Sequence, residues 1–89
     1  MGPVATEIER RLCEALDPVH LEIQDDSAHH AGHGGYREGV ETHLQVTVVS
    51  AAFASLSRLD RQRRVLDLLA DLMGNPIHAL SVDARPPQA

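Results

Sequence analysis

The sequence contains no lysine and no tryptophan, and only one cysteine, one phenylalanine and one tyrosine. With aromatics at 2% of 89 residues, any core has to be built from Leu, Val, Ile and Ala. All eight basic residues are arginines, set against thirteen acidic ones, for a formal charge of -5. An acidic chain without a basic tail is a poor generic binder of nucleic acid, whose affinity comes largely from neutralising phosphates. A single cysteine, Cys13, cannot close an internal disulfide, so a reducing compartment is compatible. No apolar run approaches the ~18 residues of a membrane span. The first residues, Met1 to Glu7, have neither a signal peptide's apolar stretch nor a transit peptide's arginines. A soluble, cytoplasmic protein of one domain is expected, spanning residues 1–89 with flexible ends at 1–5 and 86–89.

What the chain does have is six histidines, three of them close together. The stretch Ser27-Ala28-His29-His30-Ala31-Gly32-His33-Gly34-Gly35 feeds Thr42-His43-Leu44-Gln45-Val46-Thr47-Val48. From Leu44 to Val48 apolar and polar residues alternate, the period of a strand with one buried face. Val19-His20-Leu21-Glu22-Ile23 alternates in the same way, with Val19, Leu21 and Ile23 inward. Hairpin loops are usually two to five residues, and the connection here, about Gln24 to Glu41, is far longer. Such a loop is disordered or kept for a purpose, and the histidines point to a purpose.

Around these strands the remaining elements read as follows. Thr6-x-x-Glu9 has capping-box spacing, and Ile8, Leu12, Ala15 and Leu16 line one face of a helix over about Thr6 to Leu16. Asp17-Pro18 ends it. Cys13 lies beside that stripe as a small, partly buried packing residue, since no basic residue is placed to lower its pKa. After Ser50, with Ser55 or Ser57 as N-cap, helical spacing runs from Leu56 and Leu59 through Val65, Leu66, Leu68, Leu69 and Leu72 to Met73. The polar middle leaves one helix or two open, with a break near Arg64. Gly74-Asn75-Pro76 is the stop. Ile77 to Ala84 is a third strand. The order is α-β-β-α(α)-β, an α+β two-layer domain with helices on one face of a three-stranded mixed sheet.

Strand two reaches strand three through helix, so parallel pairing is strongly preferred, and parallel neighbours begin at the same end of a sheet. His78 then lies beside His43, where the histidine-rich loop projects. His30 or His33 comes within reach of a metal shared with His78. Two imidazoles do not close a zinc site, which wants four protein ligands, but they suit a half-site completed by a partner. His20 and His43, at outward strand positions, rank lower.

Several ordered stretches carry a family resemblance: Asp26 to His33, Glu41-Thr42-His43-Leu44, Val48 to Phe53, Arg61-Gln62-Arg63 and Ile77-His78-Ala79-Leu80-Ser81. From about Ile8 to Pro87 the chain resembles the BolA-like proteins, whose α-β-β-α-α-β fold is similar to the type II KH fold. The resemblance implies a heterodimer with a monothiol glutaredoxin of the Cys-Gly-Phe-Ser type, sharing a 2Fe-2S cluster, with glutathione on the partner side. It places one ligand at His78 and the other at His30, in Ser27-x-x-His30, or at His33. The isolated protein is expected to be a monomer without cofactor, its loop mobile. The chain departs from the family at Leu44, usually Phe, at Ala54-Ser55, usually with Gly, and at Gln62, usually His.

The rival function, also ascribed to BolA relatives, is a DNA-binding transcriptional regulator using Arg58, Arg61, Arg63 and Arg64. Against it, Asp60 and Arg64 are spaced as an i,i+4 pair and Asp67 is within reach of Arg63 and Arg64, the pattern of a solvated charged face. RNA binding in KH style needs a Gly-x-x-Gly loop between two helices, and no glycine occurs between Ala51 and Met73. No nucleophile–base pair or acid–base dyad suggests an enzyme.

Overall fold

The first helix, α1 (Pro3–Leu16), begins three residues earlier than the capping-box spacing predicts. Pro3 occupies its first position, where the ring presets φ and the missing amide costs nothing. Thr6 therefore lies inside the helix, its hydroxyl donating to the Gly2 carbonyl at 2.9 Å rather than capping Glu9. Ala5, Ile8, Leu12 and Leu16 are buried; Ala15 and Cys13, both expected on or beside the apolar stripe, are exposed. Asp17 ends the helix in the left-handed region (φ 44°), and Pro18 prevents continuation.

The protein is described by a computed structural model for residues 2–26, 43–74 and 77–88. Strand β1 (His20–Asp25) pairs antiparallel with β2 (His43–Val49), which pairs parallel with β3 (Ala79–Arg85), in the order β1-β2-β3. The parallel pairing expected from connectivity is present. Leu44, Val46 and Val48 are buried against the helices, while Gln45 is exposed on the opposite face. Val19 is an exception to the alternation: it precedes the strand, in the bend after Pro18, and is 70% exposed.

Between β2 and β3 the chain makes a 3₁₀ turn (Ala51–Phe53), helix α2 (Arg58–Leu68) and a second 3₁₀ turn (Ala70–Leu72). The first turn seats Phe53, the largest of the fully buried side chains. Ser57, one of the two serines expected as N-cap, accepts from the Asp60 amide at 3.1 Å. No break occurs at Arg64; the α-helix runs on to Leu68, and the second helix of the α-β-β-α-α-β order is the single 3₁₀ turn. Val65 and Leu69 are fully buried, whereas Leu59 is 57% and Met73 38% exposed. Gly74 takes the positive φ expected of a stop (88°).

Two polar contacts tie the layers together. The buried Ser50 hydroxyl donates to the Leu16 carbonyl at 2.5 Å and accepts from the Ala52 amide at 3.1 Å, joining the end of α1 to the chain leaving β2. Arg11 donates to the Leu68 carbonyl at 3.0 Å and pairs with Asp71 and Glu7, joining α1 to the end of α2.

Candidate metal centre

Parallel pairing sets His43 opposite Ala79, and His78 is the residue just before it. The two imidazoles stack, with centroids 6.2 Å apart and planes 10° from parallel. His78 is exposed and His43 half-buried. The Asp26 amide donates to the His43 carbonyl at 2.8 Å, so the chain leaving β1 and the chain entering β2 meet at this same end. Asp26, His43, Ala79 and Ser81 help to line a shallow cleft of about 210 Å³ there. His20, by contrast, stands opposite Val49 at the other end of the sheet.

The third component of the expected site, His30 or His33, lies outside the described residues, as do His29 and Ser27. Among the described residues no group of three or more His, Cys, Asp or Glu could hold a metal ion. They therefore supply two neighbouring imidazoles, a donor set that fits a half-site and not a closed tetrahedral one. Imidazole is an established ligand to iron in 2Fe-2S centres, so the donor chemistry is compatible with the group the sequence implies. His43 ranked below His78 in the sequence because strand alternation turns it outward. The register puts it next to His78 all the same, because its partner Ala79 directly follows His78.

The intrahelical ion pairs expected on α2 are not formed. Among the described residues, Arg58, Arg61, Arg63 and Arg64 make no ion pair with Asp60, Asp67 or any other carboxylate. Exposed i,i+4 pairs stabilise by only ~0.3–0.5 kcal/mol, which rotamer entropy readily offsets. The four arginines are not equivalent. Arg58, Arg63 and Arg64 are exposed, while Arg61 is half-buried, donating to the Leu56 carbonyl at 3.3 Å.

Fold and site together define a small two-layer α+β domain that carries a histidine pair at one end of a mixed sheet. Residues 12–89 match the BolA-like protein family, and the chain belongs to it. It is 45% identical over 87 residues to BolA-like protein 1 of Homo sapiens, covering 98% of this chain and 61% of that protein. It is 40% identical over 91 residues to SufE-like protein 1, chloroplastic/mitochondrial, of Arabidopsis thaliana, covering 98% of this chain and 24% of that one. Among solved structures, the BolA domain of SufE1 from Arabidopsis thaliana superposes with a TM-score of 0.85 at 41% identity, over 98% of this chain and 95% of that one. The chain thus spans about three fifths of the human relative and a quarter of the plant one.

Proposed function

We propose that this domain is an adaptor in iron–sulfur cluster assembly, trafficking or regulation, and not an enzyme. It binds a monothiol glutaredoxin of the Cys-Gly-Phe-Ser type as a heterodimer and shares a bridging 2Fe-2S cluster with it. His78, held at the start of β3, is the anchored ligand, and His30 or His33 is the second. Carrying this reading is the gathering of His43 and His78 at the sheet end where the histidine-rich connection enters β2. Family membership and a donor set of imidazoles support it. The cluster, when bound, supplies exchangeable iron and sulfide; this chain holds imidazoles on a rigid strand end, and its partner brings thiolates. Histidine ligation raises a cluster's potential, which makes it easier to pass on.

The test is co-purification with a monothiol glutaredoxin, glutathione and iron, read by visible absorption and circular dichroism. His78→Ala should destroy the native cluster spectrum. His30→Ala alone should be partly rescued by His33, and His30→Ala/His33→Ala should match the loss at His78. His20→Ala should change nothing. An unchanged spectrum in the His78→Ala complex would overturn the assignment.

A second reading, a DNA-binding regulator, is favoured by the unpaired arginines of α2. It ranks lower because the chain carries -5 overall. Arg61→Ala/Arg63→Ala should remove only weak binding that is already lost at physiological salt. A tight, sequence-selective complex at that salt reverses the ranking.

A further inference from the structure

Strand β3 is an edge strand. The Ser50 amide donates to the Arg85 carbonyl at 3.0 Å, so Arg85 turns its peptide groups toward β2. By the alternation of a parallel ladder Asp83 and Ser81 do the same, and Leu80, Val82 and Ala84 present theirs to the open edge. Among the described residues nothing pairs with those outward amides and carbonyls. An edge left in this state is a template for another extended chain, and proteins usually block it with a charge, a bulge or a covering element. Here a groove of about 780 Å³ is lined by Val82, Asp83 and Ala84 of this strand, Arg58 and Arg61 of α2, and Gln45 and Thr47 of β2.

The groove has a sign. Arg85 is neutralised by a two-bond pair with Asp83, at 2.7 and 2.8 Å. Arg58 and Arg61 have no carboxylate partner among the described residues, and the buried Nε of Arg61 has no hydrogen-bond acceptor. Asp83 is held below the usual carboxylate range by Arg85 first and, more weakly, by the charges of Arg58 and Arg61, which places both within electrostatic reach of the strand.

We propose that the open edge of β3 is a docking site for an extended acidic segment of a partner protein, which adds a fourth strand beside Val82 and Ala84 and sets its carboxylates against Arg58 and Arg61. Strand addition uses main-chain bonds for affinity and side chains for specificity. A nucleic acid carries the negative charge but has no amide ladder to match the edge. The groove follows β3 from Ser81 onward, and it meets the histidine cleft at Gln45 and Ser81.

A short peptide alternating Glu and Val is the probe, with a glutamine-for-glutamate counterpart and a form N-methylated at every second residue as controls. Titration up to about 1 mM, the weak end of specific affinity, should shift the amide resonances of Val82 and Ala84 and slow their hydrogen exchange. Arg58→Gln/Arg61→Gln should weaken binding about tenfold, as expected for two lost charge contacts. Asp83→Asn, which frees Arg85, should tighten it; far-ultraviolet circular dichroism establishes that both variants are folded. The N-methylated form should not bind, and the glutamine form should lose about as much affinity as Arg58→Gln/Arg61→Gln. Unmoved Val82 and Ala84 amides, equal binding of the N-methylated form, tighter binding of a single-stranded oligonucleotide, or self-association through this edge would each overturn the proposal.

Discussion

Replacing Ser50 with alanine removes one oxygen atom and should cost more than any other serine substitution in the described chain. The side chain is fully buried. Its hydroxyl donates to the Leu16 carbonyl at 2.5 Å, one of the end-of-helix oxygens that α1 cannot satisfy internally. It also accepts from the Ala52 amide at 3.1 Å, which orients the 3₁₀ turn carrying Phe53. Ser50→Ala leaves the buried Leu16 carbonyl and the part-buried Ala52 amide without this partner. At about 1–3 kcal/mol for the buried Leu16 carbonyl and about 1 kcal/mol for the part-buried Ala52 amide, the loss is about 2–4 kcal/mol. A chain of this size is stable by roughly 4–13 kcal/mol in total, so the variant folds but loses a large share of its margin. Urea unfolding followed by circular dichroism reads this directly: with a slope of about 1 kcal/mol/M, the midpoint should fall by at least about 2 M. The comparison variant is Ser57→Ala, which also removes a capping hydroxyl, but at an exposed helix start where water replaces it, at a cost of ~1 kcal/mol. If Ser50→Ala cost no more than Ser57→Ala, the claim that burial sets the penalty would be refuted.

Acid should weaken the ion-pair network of α1 in a defined window. Glu7 is lowered from 4.5 to about 2 by its bonds to Arg10 and then Arg11. The unfolded chain therefore takes up this proton first, and the contribution is complete above about pH 4.5, declines as pH falls and is gone below about 2. Arg10→Gln should flatten most of that part of the stability–pH curve in acid titrations, and an unchanged curve would locate the acid sensitivity elsewhere. Leu12→Ala and Leu59→Ala should part sharply in thermal melts, about 2–5 kcal/mol against less than ~0.5, because one side chain is fully buried and the other 57% exposed. At the end of α1, Asp17→Val should cost about 1–2 kcal/mol for forcing a branched residue to positive φ. Asp17→Gly should leave the melting temperature nearly unchanged, and equal losses in the two variants would show that backbone conformation is not the cause.

Element order and the buried strand face were legible because alternation has a period of two and no competing reading. Leu44, Val46 and Val48 could be placed from residue types alone. Helix limits were less so, because short-range motifs compete. The Thr6-x-x-Glu9 spacing resembles a capping box, yet Pro3 begins the helix earlier and turns Thr6 into an interior residue. Leu59 sits at the right helical spacing but in the first turn of α2, and is exposed, while Phe53 and Leu56 before it pack into the core. Val19 alternates correctly but precedes the strand. In each case the pattern was present and its end was not.

The site shows the same division. The neighbourhood of His43 and His78 follows from connectivity, since a helical crossover forces parallel pairing and parallel strands share a starting end. Connectivity sets His78 beside His43, and the structure adds the register, with His43 opposite Ala79. The arginines were legible as a charged face but misassigned as paired with Asp60 and Asp67, since i,i+4 spacing states only what can meet. Ion pairs form instead within α1, where Arg10 meets Glu7 and Glu14 and Arg11 meets Glu7, and from Arg11 across to Asp71. Arg58 and Arg61 lack such a carboxylate, which is why their charge remains available at the edge of β3. One seven-residue strand therefore organises both ends of the molecule's chemistry: its start sets an imidazole beside another, and its open side offers amides beside unpaired arginines.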